Sequence, residues 1–135
     1  TLEARIKTLN LGNVRLLGFQ NQAEMAALYG LADVCLLPSQ WEPWGLAINE
    51  AMNGACAILA SDRVGAAADL VRNGINGMVV PHADAAALFN AIRSLALAPD
   101  QTRRMGQASR EIVANWGFDQ DVAGLRRALR LASAG

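Results

Sequence analysis

Two carboxylates, Glu42 and Glu50, lie eight positions apart on either side of a short loop and the start of a helical pattern. At about 1.5 Å of rise per residue, eight helical positions span roughly 12 Å along the axis. The paired acids of a retaining glycosidase need about 5–5.5 Å, so this spacing argues against that chemistry. A separation of this size would instead allow the two carboxylates to contact opposite ends of one extended ligand. The residues alone also allow a structural interpretation, in which Glu42 favours the helix dipole and Glu50 is a solvated helix acid.

The elements around this loop place it where a ligand would bind. The apolar run Val34–Leu37 predicts a buried strand, Pro43 and Gly45 then break the backbone, and a helical pattern begins near Trp44. In an open parallel sheet such a loop lies at the carboxyl end of its strand, the usual ligand-binding edge. The unpaired N–H groups at the helix start favour a phosphate, and Gly45 has no side chain to obstruct it. An extended ligand with a phosphate in its middle would fit between the two acids. A nucleotide-sugar has this shape, with a ribose, a diphosphate and a sugar in a row.

The rest of the chain alternates between helix and strand patterns, which predicts an α/β fold: a Rossmann-like parallel sheet with flanking helices. Val34–Leu37 is expected to be buried on both faces. The other expected strands are Val14–Phe19, Cys56–Ala60 and Met78–Val80, and a strand-end loop is expected around Gly65. The expected helices are Leu2–Leu11, one from Asn21 or Gln22 to Leu31, Ala85–Leu97 capped by Asp84, one from Pro99 through Val113, and one opened by Asp119 or Asp121.

Length and composition limit the function further. A chain of 135 residues predicts one domain, residues 1–135, and 12 basic against 12 acidic residues give no electrostatic footprint for nucleic acid. Cys35 and Cys56 sit in apolar runs without metal-ligand spacing, so we expect buried free thiols and a reducing cytoplasm. No apolar run approaches about 18 residues, so a soluble, cytoplasmic chain is expected.

The motifs resemble one family as a set. The segments Glu42–Leu46 and Asn49–Met52 look like the Glu-x7-Glu motif of retaining GT-B glycosyltransferases, the family-4-like group also called glycosyl transferases group 1. The resemblance continues, in one register along nearly the whole chain, through Val14–Phe19, Ala57–Asp62, Val64–Gly65 and Asn73–Gly77.

This resemblance implies the donor-binding, carboxyl-terminal domain of such an enzyme and assigns roles to single residues. Glu42 would face the transferred sugar as the catalytic residue, and Glu50 would bind the ribose. Gly45 and Leu46 would offer backbone N–H groups to the diphosphate or sugar. Phe19, Gln20 and Ser39 would either contact the nucleobase through main-chain atoms or only pack in their loops. The donor substrate would be a nucleoside diphosphate sugar, with no metal and no separate cofactor.

Measured against the family, the chain is expected to be truncated. The first two strand-helix units, a basic pair that holds the diphosphate and the amino-terminal acceptor-binding domain have no counterpart in the sequence. In the strand order 3-2-1-4-5-6, Val14–Phe19 would be strand three and Val34–Leu37 strand four, with strands one and two missing between them. Strand three could stay apart from strand four, as its place in the full sheet requires, or collapse directly onto it. Of the two we predict the collapse, because it restores backbone pairing.

For several further positions the sequence allows both a structural and a functional role. Trp44 replaces the commoner Phe of the motif and is expected to pack rather than to stack on a ligand. His82 is expected to be a surface loop residue. Six arginines make the tail of the chain locally basic and are expected to form a solvated helix face, while the family resemblance also allows a peripheral membrane contact. They are Arg103, Arg104, Arg110, Arg126, Arg127 and Arg130.

Three functions fit the sequence. The first is the donor-binding portion of a retaining glycosyltransferase that moves a hexose to an acceptor. The second is a catalytically inactive nucleotide-sugar-binding module or fragment. The third is a GT-B-like sugar-nucleotide epimerase, against which no catalytic acid pair is visible. An amino-terminal acceptor domain would distinguish the first from the others.

Overall fold

The computed structural model describes residues 1–133, with the side chain of Phe118 excepted. The predicted domain is therefore described as far as Ser133. Helices and strands alternate through most of the chain. Their bounds, in chain order, are α1 Leu2–Thr8, α2 Gln22–Leu31, β1 Val34–Leu37, α3 Leu46–Asn53, β2 Ala57–Ser61, α4 Gly65–Leu70, β3 Gly77–Val80, α5 Ala85–Leu97, α6 Pro99–Val113 and α7 Phe118–Ser133.

The three strands form one parallel sheet in the order β1-β2-β3. Val34 pairs with Ala57 at one end of the β1–β2 ladder, and Ile58 pairs with Gly77 at the start of the β2–β3 ladder. Each pair of neighbours is joined by a helical crossover, as parallel strands require. The predicted α/β class, the parallel sheet with flanking helices and the adjacency of strands four, five and six are confirmed.

The core lies on both faces of β2, whose five residues are all buried. Ile58 and Ala60 face α3 and α4, whereas Ala57 and Leu59 face α5 and α6. The alternation follows from the two-residue period of a strand. Ile48 and Met52, one helical turn apart on α3, are completely buried against the first face and each contributes about 1.5–3 kcal/mol through burial.

Side-chain caps explain why two helices begin where the sequence predicted. The Asn21 side chain accepts from the Glu24 N–H, and the Glu24 carboxylate accepts from the Asn21 N–H, a reciprocal capping box. Asp84 accepts from the Ala87 N–H at 2.9 Å and starts α5. Each bond satisfies a helix-terminal N–H that has no intrahelical acceptor.

The predicted strand Val14–Phe19 is wrong. The structure assigns no strand to this segment, and β1 pairs only with β2 within residues 1–133. The expected collapse onto β1 therefore does not occur. An extended segment becomes a strand only by backbone pairing, and this one lies apart, with Phe19 94% exposed. The strand propensity of the segment is not enough without a neighbour.

The expectation that β1 is buried on both faces is also wrong. As an edge strand it has a neighbour on one side, and Leu36 remains 41% exposed. An apolar groove of about 450 Å³ runs beside it, lined by residues of β1, β2, α5 and α6. The continuous apolar run indicated a buried strand, but burial requires covering elements on each face.

Two boundaries near the candidate site differ from prediction. Helix α3 begins at Leu46 rather than near Trp44, because Gly45 adopts a left-handed conformation with φ +95°. The segment after Val64, expected as a loop, forms the short helix α4. Its Ala66 and Ala67 are buried, and their small side chains allow the helix to pack closely.

Both cysteines are free thiols. Cys56 is buried and donates to the Tyr29 carbonyl at 3.2 Å. Cys35 is half-buried, and burial raises the pKa of its thiol to about 11. Both environments favour the protonated, unreactive form at neutral pH.

None of the helices in the described part of the chain is long and apolar enough to cross a bilayer.

Candidate functional site

The candidate site lies at the carboxyl end of the sheet, where the loops after all three strands meet. Ser61, at the end of β2, donates its hydroxyl to the Ser39 carbonyl at 2.5 Å and so joins the first two loops. The Asp62 N–H donates to the Val80 carbonyl at 2.9 Å and joins the second loop to the third. A cavity of about 190 Å³ opens between them, with Gln40, Ser61 and His82 in its wall.

Backbone hydrogen bonds attach the loop that carries Glu42 to the loop after β2. The Glu42 N–H donates to the Arg63 carbonyl at 3.0 Å, and the Gly65 N–H donates to the Glu42 carbonyl at 3.0 Å. A third bond runs from the Ala66 N–H to the Trp44 carbonyl at 2.8 Å. We call these three bonds the loop clasp. They extend the parallel pairing of β1 and β2 beyond the strands and fix the backbone of Glu42.

Two glycines make this close approach feasible. A Cβ at Gly65 would collide with the Pro43 carbonyl oxygen, whose backbone position the clasp fixes. A Cβ at Gly45 would lie 2.9 Å from Val64 Cγ1 and would also carry the cost of a positive φ. The loop after β1 therefore contacts the loop after β2 at backbone distance.

We predict that Gly65→Ala opens the loop clasp. The added methyl must push the Pro43 carbonyl away, which should lower the free energy of unfolding by roughly 2 kcal/mol or more. Urea unfolding followed by circular dichroism measures this change. Gly12→Ala is the matched control, since a Cβ there meets nothing within 4 Å. Equal stability of the two variants would show that the loops are not held in contact.

The start of α3 faces this edge of the sheet and presents backbone N–H groups that can donate to a ligand. The first intrahelical bond runs from the Ile48 N–H to the Gly45 carbonyl at 2.9 Å, and no side chain caps the helix. The N–H groups of Leu46 and Ala47, which precede this bond, have no acceptor within their own helix. Helix geometry and dipole make such an end a suitable phosphate site. Gly45 is buried and Leu46 is 69% exposed, so the exposed side chains of α3 begin at Leu46.

The two candidate carboxylates flank this helix start. Glu42 is half-buried and precedes α3, whereas Glu50 is exposed and lies within it. The Asn49 side chain accepts from Trp44 Nε1 at 3.0 Å, and Asn53 donates to the Asn49 carbonyl at 2.9 Å. Among the hydrogen bonds of residues 1–133, those of these two amides go to Trp44 and to the Asn49 carbonyl, and none goes to Glu50.

Trp44 packs, as expected. It lies against the core cluster of α3 and α4, and its ring centroid is 6.0 Å from that of Trp116. Together with the bond from its indole N–H to Asn49, this contact fixes the residue that follows Pro43. Trp44 therefore holds the loop before α3 against the core.

The structure does not bring Phe19 and Gln20 to the loop clasp. The Gln20 side chain donates to the carbonyls of Leu17 and Phe19, at 2.8 and 3.0 Å, within its own segment. It also lines a wide cleft of about 830 Å³ between this segment, α1 and α2. Within residues 1–133 the segment forms no ladder with the sheet, so backbone pairing does not hold it at the carboxyl edge. Ser39, by contrast, lies at that edge and is half-buried.

Sequence reasoning missed a polar cluster at the same edge, formed by Asp62, Arg63 and His82. The His82 N–H donates to Asp62 Oδ1 at 2.8 Å and holds the pKa of that carboxyl below its ordinary value. His82 Nδ1 lies 3.1 Å from the same oxygen and 3.2 Å from Arg63 Nε. His82 is a loop residue, as predicted, but its side chain is engaged and 37% exposed. The Ser61-Asp62 pair after a strand was the available signal.

The six arginines from Arg103 to Arg130 are all exposed, on α6 and α7. Val122, Leu125 and Leu129 of α7 are also exposed, at 45%, 61% and 61%. Exposure of both kinds of residue agrees with a solvated face and with a membrane contact alike.

The family model described as "Glycosyl transferases group 1" matches residues 1–112. The glycogen synthase of Mycobacterium tuberculosis is 33% identical over 97 residues, which is 72% of this chain and 23% of that protein. The chain thus spans about a quarter of the length of this curated relative.

Two solved structures share the fold over almost the whole chain. Sucrose-phosphate synthase from Thermosynechococcus elongatus superimposes with a TM-score of 0.82 at 32% identity, covering 98% of this chain and 34% of that one. Alr3699/HepE of Anabaena, in complex with UDP-glucose, gives a TM-score of 0.76 at 28% identity and covers 98% and 36%. The match of the family model over most of the chain, on a fold shared with these proteins, shows that the chain belongs to the glycosyl transferases group 1 family.

Proposed function

We propose that this chain is the donor-binding portion of a retaining glycosyltransferase that moves a hexose from a nucleoside diphosphate sugar to an acceptor. The observation that carries the proposal is the uncapped start of α3, set between Glu42 and Glu50 at the carboxyl edge of the sheet. It offers amide donors for a diphosphate and a carboxylate on each side for hydroxyl groups. The UDP-glucose complex of the similar Alr3699/HepE supports this ligand class.

The proposed roles are those that the family resemblance implies, and the positions of the residues are compatible with them. The N–H groups of Gly45 and Leu46 would bind the diphosphate, on which negative charge builds as it leaves the sugar. Donors that are already fixed in place stabilise that charge without reorganisation. The loop clasp provides this rigidity, because it ties the residues before α3 to the adjacent loop.

Glu42 and Glu50 would bind opposite ends of the donor. Glu50, exposed on α3, would accept hydrogen bonds from the ribose hydroxyls. Glu42, held by its backbone in the loop clasp, would face the sugar that is transferred. Ser39 lies at the same edge and would contact the nucleobase side. Phe19 and Gln20 would reach the base only if their segment moves toward the sheet.

An acceptor-binding domain is the proposed partner of this chain in the active enzyme. Closing such a domain over the donor would exclude water from the reacting sugar. The share of its relatives that the chain spans, 23% for the glycogen synthase, leaves ample length for one. Without that partner the chain would act as the nucleotide-sugar-binding module of the second interpretation.

Titration of the chain with UDP, followed by amide NMR, tests the proposal. We expect saturable shifts at Gly45, Leu46 and Ala47, and no saturation with uridine, which lacks the phosphates. UDP-glucose should add shifts around Glu42. Binding that leaves the start of α3 unchanged would contradict the proposed site. Epimerisation of UDP-glucose by the chain, detected by sugar analysis without acceptor, would favour the third interpretation instead.

A further inference from the structure

His82 Nδ1 faces one donor and one acceptor at nearly equal distance. Arg63 Nε lies 3.2 Å away and can only donate, whereas Asp62 Oδ1 lies 3.1 Å away and can only accept. A neutral imidazole with its proton on Nε2 accepts from Arg63. An imidazolium ion has a proton on Nδ1, so it donates to Asp62 and repels Arg63. Whether Nδ1 carries a proton therefore decides which of these two residues it binds: Arg63 when it does not, and Asp62 when it does.

Arg63 connects this choice to Glu42. Its carbonyl accepts the Glu42 N–H at 3.0 Å, the first bond of the loop clasp. The Gly65 N–H, two residues later, donates back to the Glu42 carbonyl. The residue whose side chain contacts His82 is thus also the residue whose carbonyl holds the Glu42 N–H.

The surroundings of His82 favour this exchange of partners. The facing charged groups are Asp62 and Arg63 from the loop after β2 and Asp84 at the start of α5, which lines the same cavity. The loop after β1 contributes uncharged Pro38 and Gln40 there. Asp62 is already held by the His82 N–H at 2.8 Å, so the acceptor stays in place while the Arg63 side chain loses its partner.

We propose that His82 is a positioning residue, which through Arg63 steadies the loop clasp and Glu42 when neutral and releases this support when protonated. The functional part of this inference rests on the proposed role of Glu42 toward the sugar. Histidine is the side chain that ordinarily changes charge between about pH 5 and 8. Donor-sugar recognition should therefore weaken when His82 becomes protonated.

Amide hydrogen exchange of the whole chain, measured by NMR between pH 5 and 8, tests the proposal without any ligand. Rates are expressed as protection factors against an unstructured peptide at each pH. The Glu42 and Gly65 amides should lose protection by about five-fold toward pH 5, the factor that one ordinary hydrogen bond contributes. In His82→Ala protection should be low at every pH.

The variant His82→Asn separates positioning from general stability. Its amide oxygen can accept from Arg63 much as Nδ1 does, but it does not titrate. We expect protection at Glu42 to stay high and independent of pH. Arg93→Ala, an exposed site on α5, is the control and should keep the wild-type profile. A pH response that persists in His82→Asn, or one absent from the wild type, would overturn the proposal.

The affinity ratio of UDP-glucose to UDP provides the second measurement. It should fall toward pH 5 in the wild type and remain constant in His82→Asn. If the amides respond as expected but neither ligand binds, the support of Glu42 by His82 stands and the proposed function fails. If the ligands bind but the Glu42 amide does not respond, the proposed function stands and the role of His82 is wrong.

Discussion

Glu50→Gln is expected to raise the dissociation constant for a nucleoside diphosphate by about 10- to 150-fold. Glu50 is exposed on α3, four positions after the first helical residue, and would accept from ribose hydroxyls through a charged oxygen. A hydrogen bond to a charged group contributes roughly 1.5–3 kcal/mol, which gives this range. Isothermal titration calorimetry with UDP measures it.

Glu111→Gln is the matched control, because Glu111 is also an exposed helical carboxylate but lies on α6. It removes the same charge from the chain, so any long-range electrostatic effect of that loss would appear in both variants. Equal affinities of the two variants would remove Glu50 from the ribose site. The uncapped start of α3 would then have to bind the diphosphate without this carboxylate.

Glu42→Ala is expected to lower turnover by about 100-fold in an enzyme that joins this chain to an acceptor-binding domain. A group that orients the reacting sugar affects the rate steeply, since misplacement by about 1 Å can cost that factor. Affinity for UDP should change little, because the proposed partner of Glu42 is the sugar. Steady-state kinetics with UDP-glucose, beside calorimetry with UDP, measures both quantities.

Glu111→Ala serves as the control for this pair of measurements. The backbone bonds of Glu42 do not depend on its side chain, so the variant should keep the loop clasp and the fold. Equal losses in turnover and in UDP affinity would place Glu42 on the nucleotide rather than on the sugar. An unchanged turnover would leave Glu42 with only the structural role that its backbone already has.

The elements that depend on local signals could be predicted from the sequence. Asp84 marks the start of α5 and Asn21 that of α2, because a capping side chain needs partners only within its own first turn. β1 was predicted at the observed residues, since its apolar run ends in Pro38. The position of Glu42 and Glu50 around the start of α3 follows from the same short-range pattern.

What could not be predicted depends on contacts between distant parts of the chain. Val14–Phe19 has the residues of a strand, but whether it pairs is decided by neighbours elsewhere in the sequence, and residues 1–133 provide none. The exposure of Leu36 follows from the same open edge. Propensity and hydrophobic pattern report only what a segment could bury, not what is present to cover it.

In the candidate site, too, local signals could be predicted from the sequence and contacts between distant residues could not. Arg63 and His82 are 19 positions apart and meet only because β2 and β3 are adjacent and parallel. Gly65 could be recognised as a strand-end glycine, but its contact with the Pro43 carbonyl requires knowing that two loops touch. Ser61 was part of a recognised segment, although its bond to Ser39 was not foreseen.

The loop clasp also determines which positions of this site can change. All three of its bonds join main-chain atoms, so most side-chain replacements leave them intact. The exceptions are residues where a Cβ has no room. Leu46 and Trp41, both largely exposed, can accept other side chains while the backbone keeps its course. Gly45 and Gly65 cannot. Substrate preference in such a loop can therefore diverge through successive single replacements, each leaving the geometry of the shared framework intact.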